Sequence, residues 1–215
     1  MRSIKNPRLP SAYRRRGPVR EPYDVVLIVC EGEKTEPNYL HGLRNTYKLS
    51  SVNVRIIPPP GSDPLSIVKF AIRELKRDPE YDRAYCVFDR DGHTTFNAAI
   101  RRIRQSPFGK SSRLAGITSV PCFEIWLLLH YRYTDAPYSG VGSNSACDLV
   151  IRDLRMRFPE YSKAHRSVFA DLGSLVSDAR RHARRLEAQN AATGANNPAT
   201  KMHELVDYLI ELKRR

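Results

Sequence analysis

Apolar and polar positions alternate along this chain in blocks. Val25–Cys30 is a continuous apolar run, the pattern of a strand buried on both faces. It breaks into the polar stretch Glu31-Gly32-Glu33-Lys34-Thr35-Glu36, and a helical pattern from about Glu36 to Tyr47 follows. Thr35 is its expected N-cap, and Tyr39, Leu40, Leu43 and Tyr47 form its inner stripe. A strand over Val52–Ile57 comes next, then a turn at Pro58–Gly61. Asp63-Pro64 reads as cap and first residue of a helix that buries Ile67, Val68, Ala71, Ile72 and Leu75. The third strand is Ala84–Phe88, followed by a helix capped by Thr94 and carrying Phe96, Ala99, Ile100 and Ile103. A fourth strand, Gly116–Val120, leads into a very apolar helix, Phe123–Tyr131. Four strand–helix units in this order predict an α/β fold with a parallel four-stranded sheet flanked by helices.

After Tyr133 the pattern changes. Asp135–Ser145, rich in Gly, Ser and Pro, reads as a loop, and the remainder reads as helices. Asn190–Asn197 interrupts them, and Asn197-Pro198 is expected to start the last helix, with Met202, Leu205, Val206, Leu209 and Leu212 on its buried face. The expected organisation is a basic arm over 1–22, an α/β core over 23–133 and a helical extension over 134–215 packed on that core.

Charge adds a partner class. The 215 residues carry a formal net charge of +13, which favours polyanions, nucleic acid above all. Arg14, Arg15, Arg16 and Arg20 lie in the N-terminal arm and are the residues expected to touch phosphates; a solubilising tail is the plainer reading. Arg180, Arg181, Arg184 and Arg185 form either a second basic stripe or a solvated helix face. The cysteines Cys30, Cys86, Cys122 and Cys147 are far apart, and no CxxC pair points to zinc. With no signal peptide and no membrane-spanning run, a reducing cytoplasm is expected.

The candidate chemistry sits at strand ends. Carboxylates there need a cation, a partner or solvent. Asp89 and Asp91 stand two apart after the third strand, where they suit Mg²⁺ or Mn²⁺, although such a pair can also feed a helix cap. Glu31, followed by Gly32, is expected to complete a metal site or act as general acid or base. Glu33 and Glu36 suit a helix N-terminus as well as a metal, and Lys34 suits either charge balance or a phosphate. Glu124, at the start of the most apolar helix, reads as a ligand for a second metal or as a carboxylate at a helix N-terminus. His93 is a candidate proton shuttle or a surface turn residue; His130 reads as structural.

Glu31 followed by Asp89-Arg90-Asp91 resembles the Toprim pattern, one Glu after the first strand and DxD after a later one. More closely, CEGEKTEPNYL (30–40), VFDRDGH (87–93), PCFEIWLLLHY (121–131), Tyr161-Ser162-Lys163 and NPAT (197–200) resemble the RloB family of bacterial anti-phage and abortive-infection proteins. The matched blocks span about residues 25–210. The chain has Val120 where that family often has Asn, and Gly92 where an acid is frequent. The resemblance implies a Toprim-like fold and a metal-dependent nuclease with Glu31, Asp89 and Asp91 as catalytic residues. It also implies a gene placed beside that of an ABC-type ATPase partner, RloA, or within restriction-modification loci, and it adds Lys163 to the accessory residues. Nucleic acid, that ATPase and a second copy of the chain are the expected partners, with no membrane. Two rivals remain at this level. One is a basic nucleic-acid-binding adaptor without catalysis. The other is a HAD-like phosphatase reading of Asp89-x-Asp91-Gly92, which leaves Glu31 and Glu124 without roles.

Overall fold

The computed structural model describes residues 22–58, 61, 63–90 and 92–212. The expected basic arm, including Arg14, Arg15, Arg16 and Arg20, lies outside the described residues, and so does Asp91. The elements run β1 (Val26–Cys30), α1 (Thr35–Thr46), β2 (Val54–Ile57), α2 (Pro64–Arg77), β3 (Arg83–Asp89), α3 (Phe96–Gln105), α4 (Pro107–Lys110), β4 (Leu114–Val120) and α5 (Glu124–Tyr131). Then follow α6 (Ala146–Arg155), α7 (Val168–Leu172), α8 (Val176–Thr193), β5 (Ala199–Thr200) and α9 (Met202–Leu212). The strands form one sheet in the order β2-β1-β3-β4-β5, parallel except for β5.

Helices cover both faces, and the strands divide their side chains between two cores by the alternation of extended chain. Val26, Ile28 and Cys30 of β1 point into a large core with residues of α1, α5, α7, α8 and α9. Leu27 and Val29 point the other way, onto α2 and α3. This explains why β1 has no polar position at all. The alternation continues in β3, where Tyr85 and Val87 join the first core and Ala84, Cys86 and Phe88 the second. Cys30 and Cys86 are buried free thiols, acting as small apolar side chains.

One of the three expected helix caps forms and two do not. Asp63 caps α2 as expected, its Oδ1 accepting from the Leu65 and Ser66 N–H groups. Thr35, the expected cap of α1, is inside the helix, and its hydroxyl donates instead to the Lys163 carbonyl at 2.9 Å. Thr94 does not cap α3 either. Thr95 holds that position without a capping bond, and its hydroxyl donates to Asp63 Oδ1 at 3.2 Å.

The larger difference is at the C-terminal side. Residues after Asn197 do not start a helix. They pair antiparallel with β4, Ser119 opposite Thr200, and the helix begins only at Met202. A fourth strand left at the edge exposes unpaired backbone groups, which β5 covers in part. Side-chain amides hold the turn in place. Asn197 Nδ2 donates to the Tyr138 carbonyl at 2.7 Å, its Oδ1 accepts from the Tyr138 N–H at 3.3 Å, and Asn190 Nδ2 donates to the Pro198 carbonyl at 2.8 Å. Residues on both sides of the expected 133/134 boundary share the first core, Trp126 and Leu129 with Leu186 and Leu205 among them.

The arginines of α8 are matched inside the chain. Arg180 and Arg184 both pair with Asp207 of α9, Arg181 pairs with Asp178, and the Arg185 guanidinium lies 3.9 Å over the Tyr133 ring. Arg180 is the mostly buried member of this set; Arg181 and Arg184 keep 67% and 53% of their side chains in solvent, as a solvated helix face does. His130 is structural as expected. It is buried between Tyr39 and the Trp126 carbonyl, and burial pushes its imidazole down to about 4. No helix among the described residues is long and apolar enough to cross a membrane.

Candidate metal centre

From β1 the chain passes to β2 on one side and then to β3 on the other, so β1 and β3 are neighbours whose connections leave in opposite directions. Such switch points open a crevice beyond the carboxyl ends of the strands. Glu31 follows β1 directly, and its N–H still donates to the Val87 carbonyl at 2.9 Å, so the parallel ladder holds the residue in place. Asp89 is the last residue of β3. The two are joined, the Asp89 N–H donating to Glu31 Oε2 at 2.8 Å. His93, after the turn at Gly92 (φ +67°), sets its Nε2 2.5 Å from Glu31 Oε1.

The first turn of α1 adds Glu36, which is 7% exposed. Its Oε1 accepts from the Gly32 N–H at 3.2 Å. Gly32 serves here by close approach, since a Cβ at that position would collide with the Glu36 carboxylate. Burial, followed by the charges of Glu124 and Glu31, raises the Glu36 carboxyl to about 7 against two backbone hydrogen bonds that lower it. Asp89 is raised well above the usual carboxylate range, first by burial and then by Glu36, Glu124 and Glu31, although the Phe123 N–H donates to its Oδ2 at 2.9 Å.

Glu124 opens α5 and is 2% exposed. A carboxylate so enclosed needs donors, and one comes from far along the chain. The Tyr161 hydroxyl donates to Glu124 Oε1 at 2.8 Å, and Lys163 Nζ lies 4.0 Å from the same oxygen. The segment carrying them is strapped across α1, by Thr35 on the Lys163 carbonyl and by Asn38 Nδ2 on the His165 carbonyl at 3.4 Å. On the other side of Glu124, Cys122 and Cys147 are joined as a disulfide, and Cys147 Sγ lies 3.5 Å from Glu124 Oε2.

These groups line one cavity of about 560 Å³, walled by Glu31, Glu36, Asp89 and Glu124, with His93 and Lys163 also lining it and the exposed Glu33 and Lys34 at its mouth. Glu31, Asp89, Glu124, Glu36, Glu33, Lys34, His93 and Lys163 therefore all come to one place. The donors at its base are hard oxygens, and their mutual repulsion is what a divalent cation would relieve. The triads whose ligand atoms lie within 4.8 Å of one another among the described residues are others: Cys122 with Glu124 and Cys147, and Glu187 with His203 and Glu204. Sequence reasoning gave Tyr161 no role and missed the pairing of Cys122 with Cys147. The first carried a signal, its place in a motif beside Lys163; the second had none, because 25 residues separate the two sulfurs.

No curated protein and no solved structure matches this chain. A family model does, that of RloB-like protein, over residues 26–209. That span takes in Glu31, Asp89, Glu124, Tyr161 and Lys163, and with them every wall of the cavity. The chain belongs to the RloB-like family.

Proposed function

We propose that this protein is a Toprim-like, Mg²⁺- or Mn²⁺-dependent nuclease that cleaves phosphodiester bonds in nucleic acid. The observation that carries this reading is the bond between the Asp89 N–H and Glu31 Oε2 at the switch point of the sheet. It fixes two carboxyl-bearing residues side by side where an open α/β sheet receives its ligand. Glu31 and Asp89, with Glu124 beside them and with Asp91 of the same motif, would hold a divalent ion, which would polarise the phosphodiester and stabilise charge on the leaving oxygen. Glu31 orients that carboxyl set, and His93, at 2.5 Å, is its proton partner. Lys163, with 62% of its side chain exposed and its ammonium over the cavity, offers a cation to a substrate phosphate. The basic arm adds sequence-independent affinity.

The deciding experiment incubates the protein with plasmid, tRNA and total RNA in Mg²⁺ and in Mn²⁺, beside an Asp89→Ala variant. Cleavage by the wild type and none by the variant, with salt-sensitive binding retained in both, is the expected result. Equal cleavage by a clean Asp89→Ala preparation removes the mechanism. Binding without cleavage by the wild type favours a nucleic-acid-binding adaptor instead.

In this reading the activity serves anti-phage defence by abortive infection and is gated from outside. The chain has no GxxxxGK[ST] loop of its own, so a nucleotide-driven switch has to come from a partner, an ABC-type ATPase in the RloB-type arrangement. Co-expression with a neighbouring ATPase should yield a complex on size exclusion and lower toxicity. Equal toxicity with and without it, and no complex, refutes the gating.

A further inference from the structure

The Cys122–Cys147 pair sits where a structural crosslink has little to do. It joins the turn after β4 to the first turn of α6, and the two helices that follow, α5 and α6, already share an apolar core through Ile125, Leu128 and Val150. Both cysteines are buried, at 2% and 3% exposure. Their surroundings are not inert, because the carboxylate of Glu124 stands against them. Its Oε1 is taken by the Tyr161 hydroxyl, which leaves Oε2 facing Cys147 Sγ at 3.5 Å. One carboxylate oxygen and two sulfurs thus lie within 4.8 Å of one another.

A disulfide sulfur carries no charge and is a poor ligand. The same two atoms as thiolates are strong donors to borderline-soft metals. We propose that, once reduced, Cys122, Cys147 and Glu124 form a binding site for a zinc-class ion, separate in chemistry from the all-oxygen set of Glu31 and Asp89. Two sulfurs and one carboxylate oxygen make three protein ligands, and Cys122 and Glu124 line the cavity, so the fourth tetrahedral position opens onto solvent. Metal–sulfur bonds of about 2.3 Å in a tetrahedral site set the sulfurs roughly 3.8 Å apart, a separation reached by rotation about the side-chain bonds. The Cα atoms, 5.7 Å apart, do not have to move.

A dithiol or phosphine reductant gives two electrons to the S–S bond, and each sulfur takes a proton. Binding then replaces the two S–H bonds with two S–metal bonds and releases two protons to water. Oxidation to the disulfide removes the site. The assignment rests on the sulfur and carboxylate geometry and stands whether or not the protein is a nuclease. If it is one, zinc draws Glu124 away from the oxygen set and inhibits.

The test is a Co²⁺ titration of the full chain in excess Mg²⁺, which fills hard oxygen sites and does not compete for thiolates. Protein reduced with a phosphine and desalted without oxygen should bind one equivalent of Co²⁺. A thiolate-to-cobalt charge-transfer band and intense tetrahedral visible bands should appear, and Zn²⁺ should displace both. Protein oxidised to the disulfide should give neither. Cys147→Ser should lose charge-transfer intensity and bind more weakly, and Glu124→Gln should keep the thiolate band with weaker binding. Absence of the band in the reduced wild type overturns the proposal. So does a band of equal strength in Cys147→Ser, which would place the metal on Cys30 or Cys86. Should Cys147→Ser fold poorly by circular dichroism, the reduced and oxidised wild types decide alone.

Discussion

Replacing Glu36 by Gln should make the metal-free protein more stable at pH 8, although the residue lies in the candidate site. Glu36 is buried among carboxylates and its carboxyl is raised from 4.5 to about 7. The folded state therefore holds a proton between about pH 4.5 and 7 that the unfolded chain has already lost. Stability is full below 4.5 and falls as pH rises through 7. A shift of this size corresponds to a loss of about 3 kcal/mol above pH 7. Gln cannot ionise, and its side-chain oxygen can still accept from the Gly32 N–H. Allowing for imperfect solvation of the amide, the variant should gain about 1–3 kcal/mol at pH 8. For a chain of this size that is roughly 3–10 °C in Tm. His130 works in the opposite sense, since its imidazole is held down at about 4 and its protonation on unfolding costs stability as pH falls from 6.5. The difference between variant and wild type cancels that contribution. The assay is thermal unfolding of both proteins from pH 4.5 to 8.5, in chelator and again in Mg²⁺. The gain should vanish at the acid end and shrink in Mg²⁺, which offsets the repulsion for the wild type. A variant less stable than wild type at pH 8 in chelator, or a difference that does not change with pH, refutes the reasoning.

Three further outcomes follow from contacts described above. Gly32→Ala should cost about 1–3 kcal/mol, because the new Cβ meets the Glu36 carboxylate, and chemical denaturation should show most of that loss recovered in a Gly32→Ala/Glu36→Ala double variant. Asn197→Ala removes both bonds to the Tyr138 backbone and should cost about 2 kcal/mol, with faster hydrogen exchange at the Tyr138 amide. Lys163→Ala should leave stability within about 0.5 kcal/mol, since most of the side chain is in solvent. In nucleic-acid binding the same variant should lower affinity and make the salt slope shallower by about one.

What could be read from the sequence was set by how local its cause is. β1 was legible because every residue from Val26 to Cys30 is buried, so no polar position interrupts the run. The cap at Asp63 was legible because its partners are two and three residues away. Thr35 carried the same local signal and was misread, because a carbonyl 128 residues distant competes for its hydroxyl. β5 escaped for a related reason. Two residues carry no periodicity, and what makes Ala199–Thr200 a strand is the open edge of β4. In the site, Glu31 and Asp89 announced themselves as charges at the ends of buried strands. Glu124 was visible as the lone acid opening an apolar helix, but its donor, Tyr161, looks like any other aromatic residue near a core.

The strap formed by Tyr161 and Lys163 has a consequence for synthesis. A ribosome that has released the chain as far as Tyr131 has already made Glu31, Glu36, Asp89 and Glu124, the four acids that wall the cavity. At that moment Glu124 has no hydroxyl to receive, Cys122 has no sulfur opposite it, and the outer edge of β4 is bare. Those gaps are closed by residues 147, 161 and 199–200, all of which emerge later. Glu124, buried among carboxyl groups, therefore receives its hydroxyl donor only when the chain has reached Tyr161, so the cavity is completed by the C-terminal part of the chain and not by the strands that carry its acids.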